Sequence, residues 1–128
     1  MEILPKPNEP AIRVLMMPRD TNAYGTIFGG VILSYIDQAG AIEARRQGST
    51  KMVTVSMDKV VFHAPVQVGD LVSFWTEALR IGTTSVTVRV VVEAWRQKPS
   101  LEPVTVTEAQ VVYVNVGDDR RPTPIVRS

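Results

Sequence analysis

The chain contains no cysteine and a single histidine, His63, among its 128 residues. Without cysteine there is no disulfide, no thiolate nucleophile and no Cys-ligated metal. One histidine puts a multi-histidine metal centre out of reach of a single chain. An excess of either charge is also missing, the formal net charge being +1. The basic residues fall in isolated pairs, Arg45-Arg46 and Arg120-Arg121, and not in a stripe. The usual electrostatic footprint of a nucleic-acid binder is therefore absent. No apolar run reaches the ~18 residues of a membrane span, and the first residues have no signal-peptide core. Neither nucleic acid nor membrane is an expected partner, and a cytoplasmic location is the default expectation.

What remains is ordinary for one globular domain spanning residues 1–128, with 45% hydrophobic and 21% charged residues. Residues 1–10 carry three prolines and, with the polar segment 117–128, read as flexible arms. Ile27 to Gln47 has helical spacing, with Thr26 as N-cap, Arg45 and Arg46 at the negative end of the dipole and Gly48 as the stop. Ala11–Met17, Lys51–Phe62, Leu71–Ile81, Thr83–Gln97 and Val104–Val116 read as strands. Val86, Val88, Val90 and Val92 alternate on one face, and Gly82 marks a hairpin. Long strands with one segregated helix predict an α+β fold, a curved antiparallel sheet around a central helix.

Asp37 is the only charged residue between Ile27 and Ile42. Such a helix, apolar nearly all round, is expected to be buried. A carboxylate there costs several kcal/mol (roughly, after relaxation) unless it is paired, protonated or used. On the helical wheel Asp37 shares its side with Gly30, Leu33, Ser34, Gly40, Ala41 and Ala44, mostly small residues. Phe28, Ile32, Tyr35, Ala39 and Ile42 lie opposite. One side suits the sheet; the small-residue side suits a second subunit or a ligand channel. Asp37 is then either a structural carboxylate or a base or nucleophile tuned by its surroundings.

Gly29-Gly30 fall in the first helical turn. They are either a tight loop-to-helix join or a place where a ligand approaches free N–H groups and the positive dipole end. Asn22 is either a turn-maker or a polar site residue. His63, at a strand end with no partner in sight, reads as a rim residue. Arg80 with Gly82-Thr83-Thr84-Ser85 forms a donor-rich hairpin. It is either simple turn chemistry or a phosphate site.

The segment Pro18-Arg19-Asp20-Thr21-Asn22-Ala23-Tyr24-Gly25-Thr26-Ile27-Phe28-Gly29-Gly30, followed by Asp37, resembles the hot-dog-fold acyl-CoA thioesterases, in particular the YciA-like branch related to the cytosolic acyl-CoA hydrolases of animals. Val53-Thr54-Val55, His63-Ala64-Pro65-Val66, Val68-Gly69-Asp70 and Gly82-Thr83-Thr84-Ser85 extend the resemblance over nearly the whole chain. It implies a hot-dog fold and hydrolysis of acyl-CoA to a free acid and CoA, with no cofactor beyond the CoA of the substrate. It implies homodimers joined edge to edge, their active sites shared, and further assembly as trimers of dimers. Asn22 would come from one protomer and orient water or carbonyl; Asp37 would come from the other as general base or nucleophile. The N–H of Gly30, with Gly29, would polarise the thioester oxygen. Arg80, Gly82, Thr83, Thr84, Ser85 and Thr54 would contact the CoA part. Asp20 stands where some relatives have a histidine, so no histidine role is carried over. The rival readings are an acyl-CoA binding module without turnover and a hot-dog hydratase or dehydratase. The first is disfavoured by the presence of both Asn22 and Asp37, the second because His63, at a strand end, has no helical partner in register.

Overall fold

Every second residue of the longest hydrophobic alternation turns inward. Val86, Val88, Val90, Val92 and Ala94 are all buried on β4 (Ser85–Trp95), while Thr87, Arg89 and Glu93 face the other way. That period of two is the signature of a sheet covered on one side. In the computed structural model, which describes residues 8–96 and 102–125, the remaining strands are β1 (Ile12–Leu15), β2 (Met52–Phe62), β3 (Leu71–Ile81) and β5 (Val104–Asn115). They form one antiparallel sheet in the order β1-β3-β4-β5-β2. The single long helix α1 (Gly29–Arg46) lies against β3, β4 and β5. This is the expected α+β arrangement of a sheet around one helix.

The helix buries Ile32, Ile36, Ala39, Gly40, Glu43 and Ala44. The expectation of a helix buried all round does not hold in the single chain. Ser34, Gln38 and Arg45 are exposed and Asp37 is half-buried, because the sheet covers one side of α1 only. The helix also starts two residues later than its spacing suggests, and its N-cap is Phe28, not Thr26. The cause is local. Ile27 N–H donates to the Val66 carbonyl and Phe28 N–H to that of Asp20, both at 2.8 Å, while Thr26 bridges to Gln67. These bonds hold residues 26–28 extended. Phe28 has no side-chain acceptor to offer; its carbonyl takes the Val31 N–H at 3.0 Å, and no side chain caps the N–H groups of Gly29 and Gly30. The far end closes as expected. Gly48 has φ 106°, and Gly48 and Ser49 N–H reach back to Arg45 and Ala44 at 3.0 and 3.1 Å, a complete Schellman stop.

Two features of the periphery bear on function. β2 is an open sheet edge that exposes Val53, Val55, Val61 and Phe62. A bulge there puts Lys59 at φ 52°. The segment after β5, read as an arm, folds back from Gly117 to Ile125. Thr123 and Ile125 N–H donate to Asn115 and Thr83 carbonyls at 2.8 and 2.9 Å, and the Asn115 side chain donates to Thr123 and Pro124. Residues 1–7 and 126–128 of the two expected arms lie outside the described residues.

Candidate active site

Asp37 projects from the middle of α1 toward the open side. Its Oδ1 accepts a 2.8 Å hydrogen bond from the Thr54 hydroxyl on edge strand β2. Behind it, the Tyr113 hydroxyl from β5 donates to the Asp37 backbone carbonyl at 2.5 Å. Tyr113 is 1% exposed, and burial first, then the Asp37 carboxylate, pushes its phenol well above the usual range. The hydroxyl can approach so closely because residue 40 is glycine. A Cβ on Gly40 would stand 2.2 Å from that oxygen. Asp37 is thus held by one hydroxyl at its carboxylate and one at its backbone carbonyl.

Gly29 and Gly30 open the same helix. Neither has a positive φ. A Cβ on Gly29 would meet the Phe62 ring at 3.6 Å, an ordinary contact, and one on Gly30 would meet the ring edge of exposed Phe28 at 3.3 Å. The backbone therefore does not demand glycine at either place, which favours the approach of a ligand over a tight join. Beside Gly29 a cavity of about 230 Å³ is walled mainly by Ile27, Ile32, Phe62, Ala64 and Val66, with His63 and Thr107 as its polar members.

One distance decides how these groups combine. Gly30 and Asp37 lie seven residues apart on one straight helix, about 10 Å along its axis. A reacting carbonyl needs an oxyanion donor and a nucleophile each within about 3 Å, with a general base one water further out. Within one chain the two groups stand about two helical turns apart.

Asn22 lies in the loop before α1. Its Oδ1 accepts from the N–H groups of Tyr24 and Thr26 at 2.8 and 3.2 Å, and its Nδ2 donates to the Thr26 hydroxyl at 2.9 Å. It makes the turn, as one of its two readings had it, and one N–H of the amide remains for another acceptor. Arg80, Gly82, Thr83, Thr84 and Ser85 form the β3–β4 turn, whose Ser85 pairs with Val114 of β5 as does Val53 of β2. Gly82 N–H closes the turn on the Ser85 carbonyl at 2.8 Å, and the carbonyls of Thr83 and Thr84 are taken by Ile125 and Asn115.

Several groups are not evident from residue spacing alone. Tyr113 is one; its only trace is that it is the sole aromatic on the inward face of β5. Glu43 reads as the first solvent-facing charge of the helix, yet it is 2% exposed. Arg46, Gln47 and Thr76 each donate to its carboxylate at 2.8 Å. Its partners three and four residues on are a helix-pair signal that spacing does offer. His63 is not partnerless: its Nε2 lies 2.9 Å from Glu108 Oε2, and Arg89 holds the other oxygen at 3.2 Å. Those partners, His63 first, pull the Glu108 carboxyl below its usual range.

Comparison with known proteins bears on the family. Residues 24–102 match the family model described as Thioesterase superfamily. The acyl-CoA thioester hydrolase YciA of Salmonella typhimurium is 40% identical over 121 residues, covering 91% of this chain and 90% of that protein. Among solved structures, a hexameric hotdog fold thioesterase of Campylobacter jejuni is 44% identical with a TM-score of 0.88, covering 95% of this chain and 93% of that one. An acyl-CoA hydrolase of Staphylococcus aureus, solved with butyryl coenzyme A and coenzyme A, is 26% identical with a TM-score of 0.81, covering 89% and 69%. That hydrolase has also been solved with alanine replacing an aspartate and, separately, an asparagine, two positions fifteen residues apart.

Proposed function

The chain belongs to the Thioesterase superfamily and is an acyl-CoA thioester hydrolase, and from that premise we propose that each active site is built by two copies of it. The observation that carries this is the separation of Gly30 and Asp37 on one helix, which a second, antiparallel copy removes. The open, apolar edge of β2 favours such pairing. Thr54 marks the level of Asp37 on β2, and Phe62 marks that of Gly29. Antiparallel pairing of two β2 edges that sets Thr54 opposite Phe62 of the other copy brings Asp37 of one chain to Gly29-Gly30 of the next. Three such dimers then make a hexamer, the assembly of the C. jejuni thioesterase.

Within that site the Gly30 N–H, with Gly29, polarises the thioester oxygen at the positive end of α1. Asp37 acts from the other chain. As general base it takes a proton from water while the water oxygen bonds to the carbonyl carbon; the C–S bond then breaks and the CoA thiolate takes up the proton. As nucleophile its oxygen displaces the thiolate, and water opens the resulting anhydride. Incorporation of solvent ¹⁸O into Asp37 in a single turnover marks the second route. Asn22 contributes its remaining amide N–H to the water or carbonyl. Its interval of fifteen residues from Asp37 equals that between the two positions replaced in the S. aureus hydrolase. Thr54 is read here as a holder of Asp37 and not as a CoA contact. The reading calls on no cofactor. No described helix is long and apolar enough to cross a membrane, and a cytoplasmic location accords with a CoA-linked substrate.

Co-expression tests the shared site. Asp37→Ala and Asn22→Ala chains are each expected to be inactive alone. A mixed dimer should regain one intact site, with Asn22 from the first variant and Asp37 from the second. If mixed assemblies form but stay as inactive as their parents, the two residues serve the same chain and the two-copy site is wrong.

A further inference from the structure

A second cavity, about 470 Å³, opens between the C-terminal half of α1 and the start of β2, lined by Ala41, Ile42, Arg45, Thr50, Lys51 and Met52. It continues the seam that holds the reactive carboxylate. Ala41 is one turn beyond Asp37 on α1, and Met52 is two residues before Thr54 on the same face of β2. The seam thus runs from the Asp37–Thr54 pair, past apolar walls, to two cations. Arg45 lies eight residues from Asp37, about 12 Å along the axis. The two neighbouring arginines are used differently. Arg46 is spent on buried Glu43, while Arg45 is exposed and enters no ion pair among the described residues. Among the described residues Lys51 pairs with exposed Asp118 alone, at 3.6 Å. The cavity beside Gly29 carries no lysine or arginine on its wall.

We infer that Arg45 and Lys51 receive the phosphates of the CoA part of the substrate, led there along the Ala41–Met52 seam. This rests on the proposed reaction at Asp37. The arm linking the CoA sulfur to its first phosphate is uncharged and, extended, longer than the interval from Asp37 to Arg45. The apolar cavity beside Gly29 is left for the acyl group. The β3–β4 hairpin lies at the same end of the sheet, since Asn115 joins the Thr84 carbonyl, Ser49 and the Lys51 backbone N–H. It is therefore a neighbour of the phosphate site, but Arg45 and Lys51 stand nearer the seam that Asp37 occupies.

Calorimetry with CoA alone is the primary test, because it requires no turnover. Arg45→Ala and Lys51→Ala should each weaken CoA binding about tenfold, and Arg80→Ala by less. With acyl-CoA, KM should rise by a similar factor at constant kcat. With the matching acyl-pantetheine, which lacks the nucleotide and its phosphates, neither variant should change KM. Unchanged CoA binding in the Arg45→Ala, Lys51→Ala double variant overturns the assignment. So does a loss confined to thioesters whose acyl chain ends in a carboxylate, which would put the cations at the acyl end. Wild-type chain that binds CoA through Arg45 yet hydrolyses no thioester leaves this assignment standing and removes the proposed reaction instead.

Discussion

Helix α1 carries two carboxylates less than two turns apart, and they are treated in opposite ways. Glu43 faces the sheet, is 2% exposed, and takes hydrogen bonds from Arg46, Gln47 and Thr76. Asp37 faces the open side, half-buried, with the Thr54 hydroxyl at its tip. A buried charge surrounded by donors is a structural element, costly to remove. A charge with a single neutral donor and an unfinished surround keeps lone pairs for a water or a substrate. Which side of the helix a carboxylate occupies thus decides whether its lone pairs are taken up by the fold or left open.

Exchanging the two roles is the strongest test of that contrast. Asp37→Ala is expected to lower kcat about 10³-fold or more, with melting temperature and assembly unchanged. Glu43→Ala should do the reverse: a loss of about 3 kcal/mol in denaturant unfolding, with the turnover of the molecules still folded preserved. Retention of near-normal turnover by Asp37→Ala would end the site assignment.

Smaller effects sharpen the picture. Gly40→Ala drives a Cβ against the Tyr113 hydroxyl and should cost about 2 kcal/mol. Adding Tyr113→Phe, which deletes that oxygen, should recover part of the loss; a double variant no better than Gly40→Ala would show that the ring, not the hydroxyl, sets the fit. Thr54→Val removes the donor to Asp37 and should reduce kcat about tenfold with KM held. An equal rise in KM would make Thr54 a substrate contact after all.

The weakest effect concerns pH. The phenol of Tyr113 is raised in the fold, so the folded chain keeps a proton that the unfolded chain begins to lose near pH ~10. Its contribution is intact below that pH and declines above it. Urea unfolding at about pH 9 and about pH 11 should show a shallower alkaline loss in Tyr113→Phe than in the parent chain. Identical slopes would remove burial of the phenol as its cause.

The parts legible in sequence are those governed by short-range periodicity. Val86 to Val92 announce β4, and Leu71 to Ile81 is found as read, because alternation and helical spacing are properties of consecutive residues. Asp37 stands out for the same reason, as one charge in an apolar run. Thr26 does not cap the helix because Val66 and Asp20, distant or non-helical neighbours, claim Ile27 and Phe28 first. Tyr113 touches Asp37 across 76 residues, and Glu108 meets His63 across 45. No local pattern encodes such pairs.

The sequence by itself settled the chemistry on offer: one carboxylate on an apolar helix, a glycine pair at its start, and neither thiol nor histidine cluster. Only the tertiary structure decided how those groups are deployed. It laid a sheet on one side of α1, burying Glu43 and leaving Asp37 open, and it set Gly30 and Asp37 about two turns apart on one helix. The reason is geometric. Residue identity limits which protons and charges are available, but distance and burial, set by packing between remote segments, determine which of them can act together.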